Sequence, residues 1–148
     1  MNKSVIAIIP TQDKFVAILS RKFSRLPVLP GGKVESSESL EQALLRETFK
    51  KTGITCVKYF PIYEQKDPSN NFLCTVFVVK EYILLGGDNY LKSSNEGAAI
   101  LLSKEELLTR SPYKEWYVEM FNMYNYYLIS EKRNKTCGRL ATKRVGYY

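Results

Sequence analysis

The sequence predicts a mixed α/β layered domain. The order of elements is strands, one helix, more strands, then helices, which is the order of a sheet covered by helices. The helix signals and strand signals are separated by clear turn chemistry. The chain has 148 residues, a 45% hydrophobic fraction and a 25% charged fraction, which fits one domain that buries its own core. There is no internal repeat and no linker-like stretch.

The runs SVIAIIP (4–10) and KFVAILS (14–20), joined by TQD, predict a β-hairpin. RKFSRLPVLPGG (21–32) carries prolines and glycines and predicts a loop. Ser39 with Gln42 three residues later forms a capping-box pattern, so a helix starts there and ends at Thr52 ahead of Gly53. ITCVKYFPIYEQ (54–65) and NFLCTVFVVKEYIL (71–84) are rich in β-branched and aromatic residues and predict strands around the turn KDPSN. GAAILL (97–102) predicts a further short strand, and Ser103 with Glu106 caps a short helix over KEELL. Ser111-Pro112 opens a longer helix through about Ile129, with Trp116, Met120, Met123, Tyr124, Tyr127 and Leu128 on its core side.

Composition removes several classes of function. No run has the length of a membrane span, and VIAII is too short for the core of a signal peptide. Three widely spaced cysteines show no zinc pattern and suggest a reducing, cytoplasmic setting. Histidine is absent, so any catalysis relies on carboxylates, lysines, tyrosines or an oxygen-bound metal. The net charge is +7, and six of the positive charges lie in the acid-free segment 132–148, which leaves the rest near +1. The boundaries expected are a domain over 1–131 and a basic C-terminal tail over 132–148. The tail reads as a solvated terminus, or as a contact for RNA or another polyanion, although no nucleic-acid motif accompanies it.

The informative stretch is GGKVESSESLEQALLRETFKKTGI, residues 31–54. Gly31 and Gly32 give a backbone that can approach a phosphate, followed by a helix start. Gly32, Glu38, Arg46, Glu47, Gly53 and Ile54 stand in register with the pattern GX5EX7REUXEEXGU, where U is a bulky apolar residue. The stretch therefore resembles the signature of the Nudix hydrolases. LPGG ahead of it, the strand order and NEGAAILLSKEELL extend the resemblance over most of residues 3–129, with Thr48 a mild departure at a U position.

That resemblance implies an α/β/α sandwich with a mixed β-sheet. It implies a nucleoside diphosphate derivative as the ligand, and attack of water on phosphorus assisted by Mg or Mn. It places Glu47 as a metal ligand and catalytic residue, Glu38 and Arg46 as residues that hold the loop and orient Glu47, and Gly53 as part of the structural frame. Glu96 falls where some family members carry an auxiliary acid, and it is a candidate base. The pattern is broken at Lys50 and Lys51, which occupy the places of two further metal-binding glutamates.

The spacing i, i+3, i+4 puts Glu47, Lys50 and Lys51 on one side of the helix. Two unit charges about 4 Å apart interact by roughly 4 kcal/mol at an effective dielectric of about 20, so turning attraction into repulsion twice costs a divalent ion several kcal/mol. Mg or Mn binding is therefore expected to be weak. Two functions stay open. One is a pyrophosphohydrolase with reduced catalysis that depends on acids outside the box, with Glu35, Glu64 and Glu96 as candidates. The other is a non-catalytic module that binds a nucleotide or RNA, with Gly31, Gly32, Lys50, Lys51 and Arg25 near the phosphates. Arg21 and Lys22 are further candidates on the same loop. With 11 tyrosines and 7 phenylalanines, a base-stacking ring in the cleft is expected.

Overall fold

A computed structural model of the chain describes residues 2–84 and 91–141, of which 134–141 are described as backbone only. The strands are β1 (Lys3–Ile8), β2 (Pro10–Thr11), β3 (Lys14–Ser20), β4 (Leu26–Val28), β5 (Gly31–Lys33), β6 (Ile54–Lys66), β7 (Leu73–Leu84) and β8 (Gly97–Leu102). The helices are α1 (Leu40–Thr52), α2 (Lys104–Arg110) and α3 (Lys114–Ala141). A single turn of 3-10 helix covers Arg21–Phe23.

One four-stranded sheet has the order β5-β1-β7-β6. β1 runs parallel to β7 and antiparallel to β5, so this sheet is mixed, as expected. A second sheet is antiparallel and centres on β3, which pairs with β2, β4 and β8. The hairpin expected between residues 4–10 and 14–20 shrinks to Pro10-Thr11 against Lys14-Phe15. Proline lacks the N–H that a continuing ladder needs, and the chain leaves the first sheet there to start the second. The expected loop 21–32 also contains two short strands, because Leu26–Val28 and Gly31–Lys33 each find an open sheet edge.

The alternation of side chains explains the layers. Ile6, Ile8, Cys74, Val76 and Val78 face α3 and pack with Trp116, Tyr117, Met120, Phe121 and Tyr124. Val5, Ala7, Phe77 and Val79 face the other way and pack with Ala43 and Leu44 of α1. β1 is thus apolar on both faces, as a central strand with a parallel neighbour must be. The result is the α/β/α sandwich. Burial raises the Cys56 thiol to about 11 and the Cys74 thiol to about 12, so both behave as apolar core residues.

α3 differs from the sequence reading in two ways. It continues past Ile129 to Ala141, so the expected boundary at 131/132 falls inside a continuous helix. Residues 142–148 of the basic tail lie outside the described residues. The buried stripe of α3 also includes Tyr117 and Phe121, whereas Leu128 is exposed. Past Tyr124 the helix still meets the sheet through Tyr127, beside Phe60 of β6, and through Glu131, paired with Lys80 of β7.

Tyr117 does more than fill space. Its hydroxyl accepts from the buried Leu29 N–H at 2.8 Å and so fixes the segment that leads into Gly31 and Gly32. Tyr117→Phe leaves that N–H without its acceptor. A loss of about 1–3 kcal/mol in urea unfolding is expected. An unchanged midpoint would show that Leu29 finds another partner.

Candidate active site

α1 carries the site, and its ends are set by local chemistry. Ser39 accepts from Gln42 N–H while the Gln42 side chain accepts from Ser39 N–H, at 3.1 and 2.8 Å. Gly53 closes the helix in the left-handed conformation, φ 78°, with its N–H on Phe49 O. Lys50 and Lys51 lie in the last turn, where the helix dipole favours cations.

Glu47 points from α1 toward β5 and is 6% exposed. Gly32 lies against it so closely that a Cβ at Gly32 would fall on the Glu47 carboxylate. Any side chain there would force the Glu47 carboxylate off its partners. The carboxylate is shared by three cations. Arg46 Nη1 donates to Oε1, Lys50 Nζ is 4.0 Å from Oε1, and Lys51 Nζ is 3.3 Å from Oε2. The Lys51 ammonium also donates to the Gly31 carbonyl oxygen.

Glu38 and Arg46 form the brace beneath this cluster. Arg46 binds Glu38 through Nε at 2.6 Å and Nη2 at 2.9 Å, and Nη2 also reaches Lys33 O at 3.0 Å. Glu38 Oε1 accepts from Glu35 N–H at 3.0 Å. The guanidinium, then the Glu35 N–H, hold the Glu38 carboxyl at about 2 against its ordinary 4.5. The same bond to Glu38 raises Arg46 above its usual value. This two-pronged pairing ties the loop 33–38 to α1.

Glu96 joins the cluster from the turn before β8. Its carboxylate lies 3.2 Å from Lys50 Nζ and 3.9 Å from Lys51 Nζ. Arg46, Glu47, Lys50, Lys51 and Glu96 open on a cleft of about 740 Å³. Arg21, Lys22 and Lys33 add positive charge to its walls, and Phe23, Tyr113 and Trp116 form an aromatic side. Tyr113 packs edge-on against both Phe23 and Trp116, at ring separations of 5.3 and 5.8 Å. Arg25 lies in a separate shallow depression with Arg21 and Ser24. Glu64 is exposed on β6, and Glu35 lines the cleft. Lys33 was not singled out in the sequence, because a lysine after two glycines has no signature of its own. The aromatic wall assembles from segments some 90 residues apart in sequence, and only the fold joins them.

The donor set does not fit a divalent cation. Both oxygens of Glu47 already face arginine or lysine, Glu38 is taken by Arg46, and Glu96 is on the same lysines. Among the described residues, no group of three or more His, Cys, Asp or Glu is placed to hold a metal. The Lys51 ammonium lies between a backbone carbonyl and two carboxylates.

The NUDIX domain model matches residues 1–124. The chain belongs to the Nudix family. Solved structures share the fold: MutT from Methanosarcina mazei is 25% identical with a TM-score of 0.63, covering 84% of this chain and 94% of its own. The Escherichia coli ORF135 protein is likewise 25% identical with a TM-score of 0.63, covering 82% and 88%. The Nudix domain of Shewanella oneidensis NrtR, solved with ADP ribose, is 16% identical with a TM-score of 0.65, covering 85% and 87%. No curated protein matches the chain.

Two outcomes follow from the geometry. Lys51→Met removes the more buried partner of Glu47 and is expected to cost about 1–3 kcal/mol, less than a fully buried pair because Arg46 remains. Lys50→Met, at a half-exposed position, is expected to cost less than about 0.5 kcal/mol. Equal effects in chemical denaturation would show that Lys51 does not hold Glu47. The second outcome concerns pH. The folded Glu38 carboxyl is depressed, so its contribution is fully present above 4.5 and is lost as pH falls toward about 2. Glu38→Gln is expected to melt below the parent at pH 7, with the two curves converging between pH 4.5 and 2. A gap that persists at pH 2 would assign the effect to something other than the carboxylate.

Proposed function

We propose that this Nudix domain binds the phosphates of a nucleoside diphosphate derivative without a divalent metal, and that phosphoanhydride hydrolysis is lost or reduced. The observation that carries the reading is the position of the Lys51 ammonium among Gly31 O, Glu47 and Glu96. A lysine supplies a point charge that attracts phosphate, but it does not lower the pKa of a bound water as a divalent ion does. Lys50, which is half exposed, is the member of the pair that faces the ligand. Arg21, Lys22 and Lys33 supply further charge, and Phe23 and Tyr113 supply a surface for a base. The NrtR domain with ADP ribose is a neighbour of the kind that this ligand class would suit. The basic helix end and tail remain a proposed contact for RNA.

Family membership favours a second reading, in which hydrolysis persists with Mg or Mn held through Glu47, Glu96 or Glu35 once a substrate phosphate is present. One experiment separates the two. Melting temperature and phosphate release are measured over a panel of nucleoside diphosphate derivatives, with chelator and across a Mg titration. The parent is compared with the double variant Lys50→Glu, Lys51→Glu. The parent is expected to gain stability from a ligand in chelator and nothing from Mg alone. The variant places three acids together, so it is expected to melt lower in chelator and to recover with Mg, because the ion binds only the folded state. If Mg stabilises the parent and supports turnover while the variant does no better, the catalytic metal is held elsewhere and the metal-free reading is wrong.

A further inference from the structure

Glu96 has no role in the brace around Glu47, and its own placement is well defined. Arg21 N–H donates to Glu96 O at 3.0 Å, and Glu96 N–H donates to Ser94 Oγ at 3.1 Å. Ser94 and Gly97 exchange backbone hydrogen bonds at 3.1 and 3.2 Å, and Gly97 pairs with Ser20 of β3. The backbone at Glu96 is therefore pinned to the end of β3, while the side chain, 44% exposed, reaches into the cleft. Its two oxygens take separate ammonium groups, Oε2 on Lys50 and Oε1 on Lys51. This is the arrangement that two oxygens of a phosphate would adopt on the same lysines.

We propose that Glu96 is a specificity-determining residue: an internal carboxylate that occupies the anion position on Lys50 and Lys51 and yields it to a ligand of the phosphate or pyrophosphate class. The inference rests on the metal-free phosphate reading above. Lys50 and Glu96 are both about half exposed, and ion pairs of that kind are worth little in water, so the exchange is easy. A monocarboxylate ligand replaces one carboxylate by another and gains nothing. A phosphate brings more charge and a further oxygen to Lys50, Lys51 and the nearby Lys33 and Arg21, so it wins the exchange. A neutral nucleoside leaves Glu96 in place. Glu96 thereby selects ligands by the charge of their anionic group.

The test is calorimetric titration of inorganic pyrophosphate and of acetate, in chelator, into the full chain and its variants Glu96→Gln, Lys50→Gln and the double variant. Glu96→Gln is expected to bind pyrophosphate about fivefold more tightly than the parent. The gain is expected to vanish when Lys50 is also Gln, which a general loosening of the turn would not explain. Acetate is expected not to bind the parent. Glu96→Asp, which withdraws the carboxylate by one methylene, serves as a second variant and is expected to fall between parent and Gln. If the parent binds pyrophosphate and Glu96→Gln binds it equally or less well, Glu96 does not compete with the ligand, and this inference fails while phosphate binding stands. If neither binds, both readings fail.

Discussion

The structure around the cleft depends on one buried carboxylate. Glu47 is taken out of water, and an ionised carboxylate is tolerated there only with partners on both oxygens. Arg46 serves one oxygen and Lys51 the other. The same carboxylate requires glycine at position 32, since any Cβ there would meet it. Gly31 next door offers its carbonyl to Lys51, so the loop is bound to the helix from both sides of the acid. The Tyr117 hydroxyl holds Leu29 just upstream, which ties this loop to the opposite helix layer. Gly32, Glu38, Arg46 and Glu47 are therefore, together, a packing solution for one loop on one helix.

Lys50 and Lys51 decide what the cluster needs in order to be stable. Three acids at i, i+3 and i+4 repel one another and need an external cation. Here Arg46, Lys50 and Lys51 stand among Glu35, Glu38, Glu47 and Glu96, so each acid has a cation of the chain beside it. The members of the set are held by hydrogen bonds and ion pairs within the chain. The dipole of α1 works in the same direction, since its C-terminal end favours Lys50 and Lys51. Local electrostatics therefore favour the two lysines in the folded state with no ligand bound.

The parts of this arrangement that were legible in the sequence are those with local causes. The capping boxes at Ser39 and Ser103 and the glycine stop at Gly53 set the ends of α1 and the start of α2. The β-branched runs of β6 and β7 were equally plain. Assignment to sheets was not legible, because the parity of residues 4–20 suits a hairpin as well as two strands in separate sheets, and Pro10 decides between them. β4 and β5 were hidden among prolines and glycines, because each is short and exists only through an edge that another strand offers. On α3 the expected stripe includes Leu128, which is exposed, and omits the buried Tyr117 and Phe121, because helical phase is read relative to a sheet whose position the sequence does not state. The contact of Glu96 with Lys50 and Lys51 joins residues more than 40 positions apart and required the fold.

The two lysines are not equivalent, and the difference bears on how such a site changes function. Lys51 has a side chain 16% exposed and sits between backbone and carboxylate, so it is held within the cluster. Lys50 is 54% exposed and touches the cluster from its outer side, so it stays available to whatever enters the cleft. A change at position 51 alone would satisfy Glu47 internally and remove its need for an ion. A change at position 50 alone would add surface charge without securing the buried acid. With both present, the Glu47 carboxylate is paired from within the helix, and Lys50 faces outward. The Gly32–Glu47 contact and the Glu38–Arg46 brace are accounted for by folding alone, because each secures the loop 31–38 on α1.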